Sequence, residues 1–356
     1  MRQSTDSHKP VFSRAAIAPF ILISLFVMNG CGVFSLKQKV RVPPRLTPLA
    51  EAETAQLFAE INRLASVRSL RGKIDIQFLD TSFAECGISE KYQTADGNIV
   101  LQRPGQILIQ IQAPLIGTKI AEMTSDGEHF RVAVLQGDEK YRRFVKGTNR
   151  AVYPRLESGS QQNKCGDDGN KVDQQRTVSA LSGLRPQHFT DALLIPPVAQ
   201  DNTNLTYARY ETFEEEPDTR PGAKKNGRVV RGYYVLEELE PAGPGRVRPL
   251  RRFWFDRVGG IRLARVQTFD EGGQLITDVR YLEPRNFGGE GRFLLPSRIE
   301  LTRPQDGYAL RVSYQSPEAV VVNRQWDPKI FALENSYGLP VEDLDERMRK
   351  QRAGEP

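Results

Sequence analysis

The feature that most constrains this chain is an alternation of apolar and polar side chains with a period of two, renewed between turn signals along most of its length. Ile74, Ile76 and Phe78 alternate with Lys73, Asp75 and Gln77, and Ile107, Ile109 and Ile111 alternate with Gln106, Gln110 and Gln112. Successive strand side chains point to opposite faces, so such runs make strands that are apolar on one face and wet on the other. Asp126-Gly127, Gln136-Gly137-Asp138, Val258-Gly259-Gly260, Glu271-Gly272-Gly273 and Asp306-Gly307 supply the turns. The pattern predicts a mainly β fold with helices (α+β), of about eleven or twelve antiparallel strands. Strand runs on both sides of a central interruption share the pattern, so one strongly curved sheet or unclosed barrel is more economical than two domains.

Helical spacing is confined to a few stretches. Thr47-Pro48 reads as a helix start, and Leu49, Leu57, Ile61 and Leu64 then recur on one side as far as Val67. Val178 to Gly183 and Pro186 to Leu194 form a short helical passage ended by Pro196-Pro197, and Pro340 to Lys350 reads as a charged helical tail. Residues 157–175 and 214–227 are polar loops.

Ahead of this domain, Arg2, Lys9 and Arg14 surround the start of an uncharged apolar run from Ala15 to Met28. Its length suits a signal peptide and is short for a spanning helix. It ends Val27-Met28-Asn29-Gly30-Cys31, which resembles the lipobox of bacterial lipoproteins. The resemblance implies cleavage before Cys31 and lipidation of Cys31, and three acyl chains at about 0.8 kcal/mol per buried methylene hold a protein on a membrane. An uncleaved anchor or an ordinary signal peptide is the alternative. The expected division is a signal peptide (1–30), a basic tether (31–48), the folded domain (49–335) and a charged tail (336–356). Gly32, where an Asp would retain the protein, implies sorting to the outer membrane, facing the periplasm. In that oxidising compartment Cys86 and Cys165 are expected to bridge; two free thiols are the alternative, because spacing does not show that they meet.

Lys and Arg total 50 against 44 Asp and Glu, a formal +6, but the bases are interleaved with acids, so nucleic acid is not an expected partner. Of three histidines, His8 falls in the leader, and His129 and His188 stand alone. No paired-His zinc motif, Cys-x-x-Cys, nucleophile elbow or phosphate-binding loop occurs. Cys165-Gly166-Asp167-Asp168-Gly169-Asn170 lacks the alternating acids and closing Glu of a calcium loop. No catalytic residue, metal or cofactor is therefore expected, and the chain reads as a non-enzyme; carboxylate-only catalysis, as in a carbohydrate- or lipid-modifying hydrolase, is the weakest reading.

Ser69-Leu70-Arg71-Gly72-Lys73-Ile74 after an amphipathic helix, then Gly97-Asn98-Ile99-Val100-Leu101, Ile107-Leu108-Ile109-Gln110-Ile111 and Pro114-Leu115-Ile116-Gly117-Thr118, resemble the opening of the LolA/LolB-like lipoprotein-localisation family. Trp326-Asp327-Pro328-Lys329-Ile330-Phe331 resembles its closing segment. The resemblance implies an eleven-stranded unclosed barrel, a helical lid at Arg176 to Leu194, and a hydrophobic cavity for acyl chains of lipoproteins or lipids. Ile74, Ile76, Phe78, Ile107, Ile109 and Ile111 are the candidate cavity lining. Leu115 and Ile116 are the candidate membrane contact, with a turn folded back into the core as the alternative. The implied partners are the membrane, through lipidated Cys31, the acyl chains, and a periplasmic carrier protein. The competing reading is a structural or signalling envelope lipoprotein whose sheet is filled by its own side chains and whose outer surface binds a protein.

Overall fold

The computed structural model describes residues 42–80, 93–113, 117–137, 139, 142–151, 153, 185–288 and 293–353. Arg45–Pro356 forms one unit and the residues before it another. Cys31, Cys86, Cys165, Leu115, Ile116 and residues 176–184 of the expected lid lie outside the described residues.

The sheet consists of two meanders joined edge to edge. The first runs through β1 (Ser69–Asp80), β2 (Gln93–Gln102), β3 (Gln106–Gln112), β4 (Lys119–Asp126), β5 (His129–Val134) and β6 (Arg143–Thr148). The second runs through β7 (Thr206–Pro217), β8 (Arg228–Pro241), β9 (Val247–Asp256), β10 (Arg262–Phe269), β11 (Leu275–Phe287), β12 (Phe293–Arg303) and β13 (Tyr308–Tyr314). β1 pairs with β13 in the register Ile74 to Tyr314 through Asp80 to Tyr308, so the first strand of one meander meets the last of the other. β14 (Val321–Val322) continues along β1 at Leu70 and Arg71, where β13 has ended. β15 (Val341–Asp343) lies parallel to β6, and β7 and β15 are the two edges of an unclosed, curved sheet.

Among the described residues fifteen strands thus replace the expected eleven or twelve. β14 and β15 are two and three residues long and pair only because a longer strand lies beside them, so they are too short to carry a period. β15 also changes the reading of the tail. Phe144 N donates to Pro340 O at 2.8 Å, and Thr148 Oγ1 donates to Asp345 Oδ2 at 2.8 Å. Residues 340–345 therefore cover the β6 edge, whose backbone groups would otherwise offer a pairing template.

Helix α1 (Thr54–Ala65) begins later than Thr47-Pro48 suggests. The stretch before it is held extended against the sheet, with Leu46 N donating to Val230 O at 2.9 Å and Ala50 N to Arg257 O at 2.8 Å. The helix starts where Gln56 Oε1 accepts from Glu53 N at 2.8 Å. Leu57, Phe58, Ile61 and Leu64 form its buried face, as the spacing requires. Helix α2 (Pro186–Leu193) opens with proline in its first turn and buries Phe189 and Ala192. Both helices share one continuous core with the inner face of the sheet. Helix α3 (Leu344–Ala353) follows β15 and contributes Leu344 to that core.

Candidate functional site

The inner face of β13 carries tyrosine at both ends and aliphatic residues between them. Tyr308, Leu310, Val312 and Tyr314 are all buried, alternating with half-buried residues. Tyr308 reaches α2: its hydroxyl is hydrogen-bonded to Nδ1 of His188. Burial, followed by the charges of Arg303 and Arg185, holds the His188 imidazole well below its usual range, so the ring is neutral. From β11, the Tyr281 hydroxyl donates to the Ala192 carbonyl at 3.0 Å, a second tie on the same helix. Burial raises the Tyr281 and Tyr308 phenols, which remain protonated.

Further bonds stitch the two helices together. Asn62 on α1 makes two hydrogen bonds of 3.0 Å with the Val198 backbone, beyond the end of α2. The Arg103 guanidinium, between β2 and β3, donates to Val67 O at 3.0 Å and also to Ile195 O. It thereby satisfies a carbonyl beyond the end of each helix, where carbonyls lack helical partners.

Beneath these helices lies a slot of about 30 Å³. Leu64 and Val67 line it from α1 and the segment just after, and Leu70, Tyr281, Leu295 and Tyr314 line it from the sheet. Leu193 and Ile195 cover it. A wider cleft of about 230 Å³ adjoins the slot, and the two share Leu64, Tyr281, Leu295 and Pro296. The cleft has charged lips. Glu60 pairs with Arg63 at 2.7 Å and Arg231 with Asp256 at 2.7 Å, while Arg262 donates to Gly259 O at 2.8 Å. Burial raises the Asp256 carboxyl above its ordinary range, opposed by the Val258 N–H and by Arg231. The whole space is apolar at its inner end and ionic at its mouth, a pattern that suits an amphiphile entering tail first.

The chain is similar in structure to several solved proteins. A LolA superfamily protein from Nitrosomonas europaea is 12% identical, with 79% of this chain and 99% of that one covered at a TM-score of 0.39. A DUF1329 family protein from Desulfovibrio piger is 11% identical over 79% of this chain and 96% of that one, at a TM-score of 0.38. A domain described as an outer membrane lipoprotein-sorting protein, from Vibrio parahaemolyticus, is 12% identical over 77% of this chain and 94% of that one, at 0.37. No family model and no curated protein matches the chain. Similarity at this level does not assign a family.

Ile74, Ile76, Phe78, Ile107, Ile109 and Ile111 all face inward, as their alternation predicts, at 0–7% exposure. They pack into the continuous core, and neither the slot nor the cleft is lined by them. The slot and cleft lie instead at α1 and β10–β12, among residues the sequence does not mark as a site. Inward tyrosines in otherwise aliphatic strands are the one signal that points there, since Tyr281 and Tyr314 wall the slot. His188, isolated in sequence, is brought to Tyr308, whereas His129 stays half-exposed beside Asp126 at 3.9 Å. The Arg71 and Arg324 guanidinium groups each lie over the Trp326 ring, at 5.3 and 4.8 Å, and Phe331 is fully buried, so the closing segment is an anchor to the sheet. Among the described residues no group of three or more His, Cys, Asp or Glu is placed to hold a metal ion. No described helix is long and apolar enough to cross a membrane.

Proposed function

We propose that the protein is a membrane-anchored envelope protein that takes up the acyl chain of a lipoprotein or lipid beneath α1 and α2, without covalent chemistry. The observation that carries this reading is the slot and its cleft, apolar within and ionic at the lips, between two helices and an open sheet. Their volume is below the roughly 300–1,000 Å³ of ordinary small-molecule sites, so the helices part from the sheet as a chain enters. Eight methylenes leaving water contribute about 6 kcal/mol, set against the Tyr281 and Tyr308 ties, about 1–3 kcal/mol, and the apolar helix surface uncovered as they part. Lipidated Cys31 would supply the anchor at the outer membrane, and Leu115 and Ile116 would touch the bilayer where a periplasmic carrier delivers its cargo.

Native mass spectrometry of detergent-free protein made without its anchor tests the reading. A retained lipid mass is expected, and it is lost from Leu295→Trp, which fills the slot. A bare wild-type mass would favour the second reading, a filled sheet that binds a protein partner, for which the close packing of the six inward Ile and Phe residues speaks. Exchanging Leu115 and Ile116 together for Glu is expected to leave folding intact and weaken transfer; undiminished transfer would remove the membrane contact.

A further inference from the structure

The two edges of the sheet are treated differently. Residues 340–345 cover the β6 edge, whereas β7 is paired with β8 along its whole length, Thr206–Pro217, and with no other strand among the described residues. Twelve residues is long for a strand, and natural edges are kept short or guarded by charge, because their outward N–H and C=O groups invite another strand. Here the guard is neutralised. Glu214 pairs with Arg265 at 3.7 Å, Glu216 with Arg231 at 3.2 Å, and Glu215 with Arg228. What remains is apolar surface, with Tyr210 and Phe213 at 40% and 42% exposure, and one cation. Arg209 is exposed, lies over the Tyr234 ring at 4.3 Å and has no carboxylate partner among the described residues.

The alternation of β7 fits a second copy of itself. Tyr207, Arg209, Glu211 and Phe213 lie on the inner face: Tyr207 meets Phe58 of α1 edge to face at 4.8 Å, Glu211 pairs with Arg257 at 2.5 Å, and Arg45 lies over Phe213 at 4.0 Å. Tyr210 is on the outer face. Residues opposite each other in an antiparallel pair share a face. A twofold axis at Tyr210, perpendicular to the sheet, therefore sets Tyr210 against Tyr210 outside. Inside, it sets Arg209 against Glu211 and Tyr207 against Phe213, each pair formed twice. Arg257 holds Glu211 Oε2, which leaves Oε1 for Arg209 of the other copy. Moving the axis one residue either way opposes Arg209 to Arg209 or Glu211 to Glu211, so charge selects the register.

We propose that β7 is a homodimer interface, in which two copies pair Thr206 to Glu214 antiparallel about Tyr210 and continue one sheet into the other. The perpendicular axis keeps both inner faces on one side, so both α1 helices and both clefts face the same way. The contact is smaller than the roughly 20–30 residues a side of a stable complex, so the dimer forms reversibly.

Disulfide trapping of the purified full chain tests the register. Opposed residues of an antiparallel pair have Cα atoms about 4.5 or 5.5 Å apart, within disulfide reach. Tyr210→Cys is therefore expected to give a linked dimer under mild oxidation, above the background that the chain's own cysteines give in wild type. The sites of Ala208→Cys and Thr212→Cys each lie about 13 Å along the strands from their own copy. Each variant alone should stay at the wild-type level, and an equal mixture of the two should give the linked dimer. The mixture keeps Tyr210, so it decides the matter if loss of that ring weakens the contact. Adding Arg209→Glu to Tyr210→Cys is expected to lower the linked fraction about three- to tenfold, because two attractive pairs become repulsive. No linkage from the mixture would overturn the proposal and leave the edge to a strand of another protein. Linkage of Ala208→Cys or Thr212→Cys alone as readily as Tyr210→Cys, or indifference to Arg209→Glu, would also overturn it.

Discussion

The two meanders are built from the same alternation and end differently. In the first, Ile99, Leu101, Ile107 and Ile109 are completely buried and the space above β2 and β3 is filled. Its outer face mixes amides, with Gln102 donating to Gln106 at 2.8 Å and Gln110 to Glu122 at 3.0 Å, with ion pairs such as Lys119–Glu122 at 3.2 Å. In the second, the outer face is crossed by ion pairs such as Arg265–Asp278 and Arg311–Glu300, and by Arg252–Glu237. Arg265 also covers Trp254, at 5.2 Å, in a small outer cluster with Tyr233 and Val235. The cleft opens in this half, where charge continues onto the lips. Glu60, Arg63, Arg231, Asp256 and Arg262 cannot all be withdrawn from water without a large desolvation cost. Helix α1 therefore cannot settle onto β10–β12 as closely as aliphatic residues settle onto β3. A period of two determines which side chains face inward; it does not determine whether the space they face is filled.

The sharpest way to break this comparison is to remove buried charge from the ion-paired half. Glu238 is fully buried on β8, bound by Arg251 and by the Tyr207 hydroxyl at 3.0 Å, and burial beside this carboxylate pushes the Tyr207 phenol up to about 12. Glu238→Ala strands the Arg251 charge and is expected to cost about 3–5 kcal/mol in denaturant unfolding. A cost under about 1 kcal/mol would mean that Arg251 finds water there. Next come matched truncations. Ile109→Ala, in the filled half, is expected to cost about 3–4 kcal/mol, and Leu295→Ala, beside the open space, about half of that. Equal costs would erase the distinction between the halves. Gly72→Ala should cost about 1–3 kcal/mol, because the new methyl group pushes on Val320 and Tyr314.

A pH series sharpens the picture of α2. The folded state holds His188 neutral below its ordinary range, so the unfolded chain binds the proton more readily. Stability is therefore unaffected above the unfolded pKa of about 6.5 and falls as pH drops below it. The melting temperature should decline between about pH 7 and pH 5, and His188→Gln should flatten that decline. An unchanged slope in the variant would assign the loss to other groups. The smallest effect belongs to the surface: breaking Arg311–Glu300 is expected to cost under about 1 kcal/mol and to vanish in high salt.

The extent to which all this was legible in the sequence follows from length and packing. Ile107, Ile109 and Ile111 declared their face because seven residues of β3 repeat the pattern, and Leu57, Ile61 and Leu64 declared that of α1 in the same way. β14 and β15 did not, because pairing with a neighbour and not internal pattern makes them strands. Thr47-Pro48 carried a helix-start signal that backbone bonds to β8 and to Arg257 overrode. The site was hidden for a different reason. Leu64, Tyr281, Leu295 and Tyr314 belong to four separate elements, and their meeting depends on how far α1 stands from the sheet.

The most direct test of the proposed acyl uptake in the second meander is photocrosslinking of the full-length protein with a fatty acid bearing a terminal diazirine, followed by peptide mapping. Adducts are expected on the walls of the slot and cleft, at Leu64 to Leu70, Leu193 to Ile195, Tyr281 and Leu295. Adducts confined to β2–β5 of the first meander, or none above a protein-free control, would contradict the account.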